Sequence, residues 1–186
     1  MSQHFPPASF PNLETERLNL RQTTMKDAEA IFIIFSDSKV TQFHNLDTFT
    51  NISEATEVIK KRSKRFEGKR GIRWGIACKS GNYLIGSCGF NWNKEATAAE
   101  VGYELASRFW RQGIMSEALC AILQYGFARE LEFIVAEVML DNAASKKLLE
   151  KLGFKSQGVF ERHGFWKGKH HDLERFILTK ANFIAM

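Results

Sequence analysis

Two stretches decide the fold: Glu100-Val-Gly-Tyr-Glu-Leu-Ala-Ser-Arg-Phe-Trp-Arg-Gln-Gly-Ile-Met-Ser-Glu-Ala-Leu119 and Val138-Met-Leu-Asp-Asn-Ala-Ala-Ser-Lys-Lys-Leu-Leu-Glu-Lys-Leu-Gly-Phe154. In the first, Ala99 to Leu105 reads as a strand and runs through a short basic loop into a helix. That helix is predicted from about Ser116 to Glu130, because Leu119, Ile122, Leu123, Gly126 and Phe127 recur at three-and-four spacing. The second stretch continues a strand over Phe133 to Val138 into a helix opened by Asp141-Asn142. Leu148, Leu149 and Leu152 form its inner stripe, Lys151 suits its last turn and Gly153 its C-terminal cap. A strand, a helix, a second strand and a second helix in this order make a parallel crossover unit.

The loop between the first strand and its helix has a chemical reading. The first turn of a helix carries unpaired N–H donors and the positive end of the helix dipole. A pyrophosphate fits such a turn, and Gly113 would let the backbone approach it with no Cβ in the way. Arg108, Arg111 and Gln112 could add side-chain contacts. Three glycines in the G-x-G-x-x-G pattern are absent, and no Gly-Lys-Ser/Thr follows, so neither a dinucleotide fingerprint nor a P-loop is present.

Outward from these stretches the chain reads as one domain over residues 13–182, after a flexible lead-in over residues 1–12 that holds all three prolines. Arg17 to Arg21 alternates as a strand. Thr24 is placed to cap a helix with Ala28, Ile31, Phe32 and Phe35 on one face, and Ser53 a second with Ala55, Ile59 and Phe66 inward. Arg73 to Cys78 and Tyr83 to Phe90 flank a hairpin turn at Ser80-Gly81-Asn82. Phe154 to Phe160 and Leu173 to Leu178 read as the last strands. The expected architecture is α/β (α+β): a mixed, mostly antiparallel sheet flanked by helices.

The 186 residues carry a net charge of +5, a modest excess that suits an anionic ligand and disfavours a polycationic one. The densest basic run, Lys60, Lys61, Arg62, Lys64, Arg65, Lys69 and Arg70, reads as a solvated helix face rather than a nucleic-acid groove. Cys78, Cys88 and Cys120 form no CxxC pair, which points to a reducing, cytoplasmic setting. Met1 to Asn12 has no signal-peptide pattern, and no stretch is apolar enough to span a bilayer. His170-His171 has only Asp172 beside it, so no metal is expected.

Together the two quoted stretches resemble the GNAT superfamily of N-acetyltransferases, and within it the ribosomal-protein (RimJ/RimL-like) branch. The matches are Glu100, Gly102, Tyr103, Trp110, Gly113, Glu117 and Ala118 in the first stretch, and Asn142, Ser145 and Glu150 to Phe154 in the second. A weaker likeness covers about Leu13 to Lys180, including Glu16-Arg17-Leu18 and Ile85-Gly86. Met115 departs from the pattern, which prefers Gly or Ala there. It could narrow the pyrophosphate site or point into the core.

The resemblance implies direct attack of an amine on acetyl-coenzyme A, with a splay between the fourth and fifth strands admitting the pantetheine arm. It implies a catalytic set of Glu100 as base, with Glu104 the competitor, and Ser145 or Tyr103 as acid. Tyr103 also reads as a core aromatic. It implies coenzyme contacts from Leu105, Arg108, Trp110, Arg111, Gln112, Gly113, Ile114, Met115, Ser116, Asn142 and Ser145. Trp110 reads as a buried anchor for the loop, and Asn142 equally as a plain N-cap. Phe90, Trp92, Phe165 and Trp166 could wall an acceptor cleft, though packing explains them as well. The acceptor implied is a primary amine, such as a protein N-terminal α-amine. The alternatives are an aminoglycoside or polyamine, or a module that binds acyl-coenzyme A without turnover. No nucleic-acid or membrane partner is expected, and either a monomer or a homodimer fits.

Overall fold

The computed structural model describes residues 7–92 and 97–183. Eight strands form one sheet: β1 (Leu13–Glu14), β2 (Leu18–Gln22), β3 (Gly71–Cys78), β4 (Leu84–Trp92), β5 (Ala98–Leu105), β6 (Phe133–Met139), β7 (Lys155–Trp166) and β8 (Lys169–Thr179). The spatial order is β1-β2-β3-β4-β5-β6-β8-β7, and β5 with β6 is the parallel pair. The helices are α1 (Ala28–Phe35), α2 (Ser38–Thr41), α3 (Ile52–Glu67), α4 (Ile114–Ala128) and α5 (Ala143–Lys151). The expected mixed, mostly antiparallel sheet with flanking helices is the one observed. Among the described residues no helix is long and apolar enough to cross a membrane.

Two cores lie against this sheet. The larger packs α4 and α5 against β2 to β6 around Trp74, Phe90, Leu119, Ile122 and Phe154. The smaller joins α1 and α3 through Ile31, Phe35, Ala55 and Ile59, with Leu84 and Ala106. Cys78, Cys88 and Cys120 are free thiols.

Several boundaries differ from the sequence reading, each for a local reason. Asn51, not Ser53, caps α3: its Oδ1 accepts from Ser53 N–H at 2.9 Å, and Glu54 reaches back to Asn51 N–H at 2.8 Å. This capping box starts the helix at Ile52, ahead of the Ser53 cap that the sequence suggested. Helix α4 starts at Ile114, two residues early, because Gly113 itself takes the left-handed cap at φ 75°. The final hairpin of β7 and β8 outruns the apolar stretches 154–160 and 173–178, since its outer half is exposed and carries little hydrophobic signal. Strand β1 and helix α2 are too short to show periodicity. At the end of the lead-in, Phe10 packs on Phe66 and Trp74, and Pro11 C=O accepts from Trp74 Nε1 at 2.7 Å. Residues 1–6 lie outside the described residues.

Candidate active site

The site begins where β5 and β6 part. They pair at Ala98–Phe133, Ala99–Ile134 and Glu100–Val135 and then separate, as the splay expected between the fourth and fifth predicted strands; β1 shifts their numbering by one. A cavity of about 410 Å³ opens in the wedge, walled by Glu100 to Tyr103 on one side and Ala136 to Met139 on the other.

Strand alternation sorts the walls. Val101, Tyr103 and Leu105 face α4 and α5. Glu100, Gly102 and Glu104 face α3 and stand opposite Asn91, Gly89 and Ser87 of β4. On the α5 side, the Tyr103 hydroxyl and Ser145 Oγ lie 2.5 Å apart. Burial pushes the Tyr103 phenol up to about 12, so it keeps its proton at neutral pH. Asn142 caps α5 by accepting from Ser145 N–H at 3.1 Å, while its residue also lines the cavity. Tyr103 is thus partly core and partly site.

On the α3 side the two candidate bases differ. Solvent reaches part of Glu100, yet the cleft walls desolvate its carboxyl. That burial, followed by the Glu137 carboxylate across the seam, raises its pKa. Glu137 is itself held by Arg175 Nη2 at 2.6 Å and His163 at 3.1 Å. Glu104 is buried and accepts from Arg62 Nη2 at 2.9 Å, Arg73 Nη2 and the Ser87 hydroxyl. Burial alone would raise its pKa, but the arginines outweigh that and hold it down at about 2. With three donors on it and its pKa held down at about 2, Glu104 stays ionised at neutral pH and is a weak proton acceptor.

A Cβ at Gly102 would stand 3.0 Å from Arg73 Nη1, so the guanidinium would have to give by a few tenths of an ångström. Above it, Lys61, Arg62 and Arg65 of α3 line the cavity, so the basic run is not wholly the solvated face the sequence indicated. Its signal was legible: Ala55, Ile59, Arg62 and Phe66 share one helical face. Arg73, His44 and Glu137 carried no such pattern.

The loop before α4 forms a separate, adjoining surface. A short 3-10 turn (Ser107–Phe109) is tied to Asp37 through Ser107 Oγ at 2.5 Å. Arg111 and Gly113 both take positive φ, 60° and 75°. Glu117 N–H donates to Gly113 C=O at 3.0 Å, leaving the N–H groups of Ile114, Met115 and Ser116 without intrahelical acceptors. Arg17 clamps this turn: Nε meets Glu117 Oε2 at 2.6 Å and Nη1 donates to Gln112 C=O at 3.0 Å. The Glu16-Arg17-Leu18 and Glu117 matches therefore meet in space. Gln112 turns its side chain back to Arg108 C=O at 3.0 Å, while Arg108 and Arg111 stay exposed.

Two expectations about this loop change. Trp110 is 43% exposed and anchors not by burial but by donating Nε1–H to Leu105 C=O at 2.7 Å. Met115 is buried with Ile114 in the larger core, so it leaves the turn unobstructed. Of the four aromatics, Phe90 and Trp166 line the cavity. Trp166 stacks on His171 at 4.2 Å, Trp92 donates to Lys69 C=O, and Phe165 is exposed.

The chain belongs to the acetyltransferase (GNAT) family, whose domain matches residues 17–155. It is an N-acetyltransferase. In sequence it is similar to the uncharacterized N-acetyltransferase YoaA of Bacillus subtilis (strain 168), 40% identical over 173 residues, 92% of this chain and 98% of that one. Among solved structures, RimL, a ribosomal L7/L12 α-N-protein acetyltransferase in complex with coenzyme A, superposes with TM-score 0.80. It is 22% identical and the match covers 91% of this chain and 98% of that one. The microcin C7 self-immunity acetyltransferase MccE, in complex with acetyl-CoA and AMP, gives TM-score 0.80 at 20% identity over 89% of this chain and 93% of that one.

Proposed function

We propose that the chain transfers the acetyl group of acetyl-CoA to a primary amine, an α-amine in the first instance, by direct attack on the thioester. The observation that carries this reading is the seam between β5 and β6, with Glu100 on one side of the sheet and the Tyr103–Ser145 pair on the other. The pyrophosphate would take the N–H groups of residues 111–116, with Arg108 and Arg111 free to add charge. The pantetheine arm would enter the seam past Asn142 and use the unpaired edges of β5 and β6, as an added strand does.

A lysine amine, near pKa ~10.4, is nearly all protonated at neutral pH, and an α-amine near ~8 less so. Glu100, whose pKa is raised, accepts the ammonium proton directly or through a water. The neutral nitrogen attacks the thioester carbon, the C–S bond breaks, and the thiolate takes a proton from the Tyr103–Ser145 pair, while the nitrogen sheds its remaining extra proton to solvent, from which the pair is reprotonated. Buried Met115 removes the reason for a binding module without turnover. A protein N-terminus is the acceptor proposed from the RimL-like fold; the cationic wall over Glu104 speaks against a polyamine.

The test is thiol release from acetyl-CoA with a panel of α-amines, peptides and polyamines. We expect release with α-amines and little with spermidine. Tight coenzyme binding without acetylation of any amine would overturn the reading.

A further inference from the structure

Around Glu104 positive charge exceeds negative. Arg62 and Arg73 contribute two positive charges, and among the described residues Glu104 is the one carboxylate bonded to both. His44, 4.0 Å from Glu104 and packed on Phe35, is held neutral, its pKa pushed down to about 4 by burial. Arg62 Nη1 is buried and has no hydrogen-bond acceptor among the described residues. Glu104 satisfies Nη2 alone; a buried guanidinium nitrogen left without an acceptor is costly, and a ligand anion in the cavity would supply one. Around it, Lys61 and Arg65 add positive charge to the same wall, with Arg65 Nη1 on Asn91 Oδ1 at 2.7 Å. Glu100 lines the same cavity four residues before Glu104 on β5, and Glu137 lines it from β6, across the seam.

We infer that the acceptor is a primary amine bearing an anionic group, a carboxylate or phosphate, which lies against Arg62 and the neighbouring arginines while the amine lies toward Glu100. The lining offers a zwitterion both kinds of partner: the Glu100 carboxylate for the ammonium and the unpartnered Arg62 Nη1 for the anion. Coenzyme A does not supply this charge, because on the proposed reading its phosphates sit at residues 108–116 and its reacting end is a neutral thioester. The inference rests on the proposed acetyl transfer but adds the class of acceptor.

The experiment uses matched pairs: L-serine against L-serinamide, O-phosphoethanolamine against ethanolamine, and seryl peptides with Asp or Asn in second place. The three pairs distinguish a free carboxylate, a phosphate and an acidic peptide as the source of the anion. In at least one pair the anionic member should have a kcat/KM roughly tenfold or more higher, the value of one hydrogen bond to a charged group, with the difference mainly in KM. Arg62→Gln should shrink that ratio toward one and Arg62→Lys should keep part of it. A ratio is insensitive to a general loss of folded protein. Calorimetry of the same compounds with coenzyme-loaded protein gives a second readout. Anionic binding without turnover would keep this inference while sinking the transferase reading. Neutral members acetylated and bound as well as anionic ones would overturn the inference and leave acetyl transfer standing.

Discussion

At the scale of single residues, Glu100 and Glu104 are two carboxylates four positions apart on one strand with opposite pKa shifts. Burial and a like charge lift the pKa of Glu100, while two guanidiniums depress that of Glu104. Sequence placed both on one face but could not rank them, because the deciding groups, Arg62, Arg73 and Glu137, come from other elements. Glu100→Gln should lower kcat/KM by roughly 10²–10⁴-fold at neutral pH, the worth of a positioned base. The loss should shrink at higher pH, where amines deprotonate unaided. In the wild type, the rate should fall on acidification once Glu100 is protonated, at a pH above the usual carboxylate range. Rate profiles from pH 5 to 10 check both statements, and a loss independent of pH would remove Glu100 from the base role. Ser145 and Asn142 were legible because capping fixes their positions locally.

At the scale of elements, the turn into α4 is held in shape by the backbone and by the Arg17–Glu117 clamp across the sheet edge. The glycine was readable as a turn; the clamp was not, since its partners lie a hundred positions apart. Gly113 needs its left-handed φ rather than space, for an added Cβ would meet Arg17 only at 3.5 Å. Gly113→Val puts a β-branched residue where φ > 0 costs about 1–2 kcal/mol, so the turn should relax toward another shape. Titration calorimetry should then give a coenzyme A Kd about tenfold weaker or more. Unchanged affinity would mean that the phosphates bind elsewhere. The start of α4 was misplaced by two residues for the same reason, as the periodic stripe begins after the cap that sets the helix.

At the scale of the whole molecule, the buried cluster of Glu104, Arg62, Arg73 and His44 ties α3 to the sheet and links stability to pH. The pKa of Glu104 is about 2 in the folded chain against an ordinary 4.5. Its contribution is complete above about 4.5 and lost as pH falls toward 2. His44, depressed from 6.5 to about 4, adds a loss over that upper window, because the unfolded chain takes the proton first. Stability should therefore decline continuously below about pH 6.5. Glu104→Gln should cost about 3–5 kcal/mol at pH 7 by leaving two guanidiniums uncompensated, and flatten the lower part of that decline. Urea melts at several pH values measure both, and a variant as stable as wild type would mean the cluster is solvated. The fold class was readable from two stretches because strands and helices alternate there; the cluster was not, since its members are scattered from residue 44 to residue 104. The seam has one more implication. Its cavity has walls on both faces of the sheet, so on the proposed reading donor and acceptor would have no common doorway to share: each would dock while the other is in place, and the transferred group would move through the plane of the strands instead of across their surface.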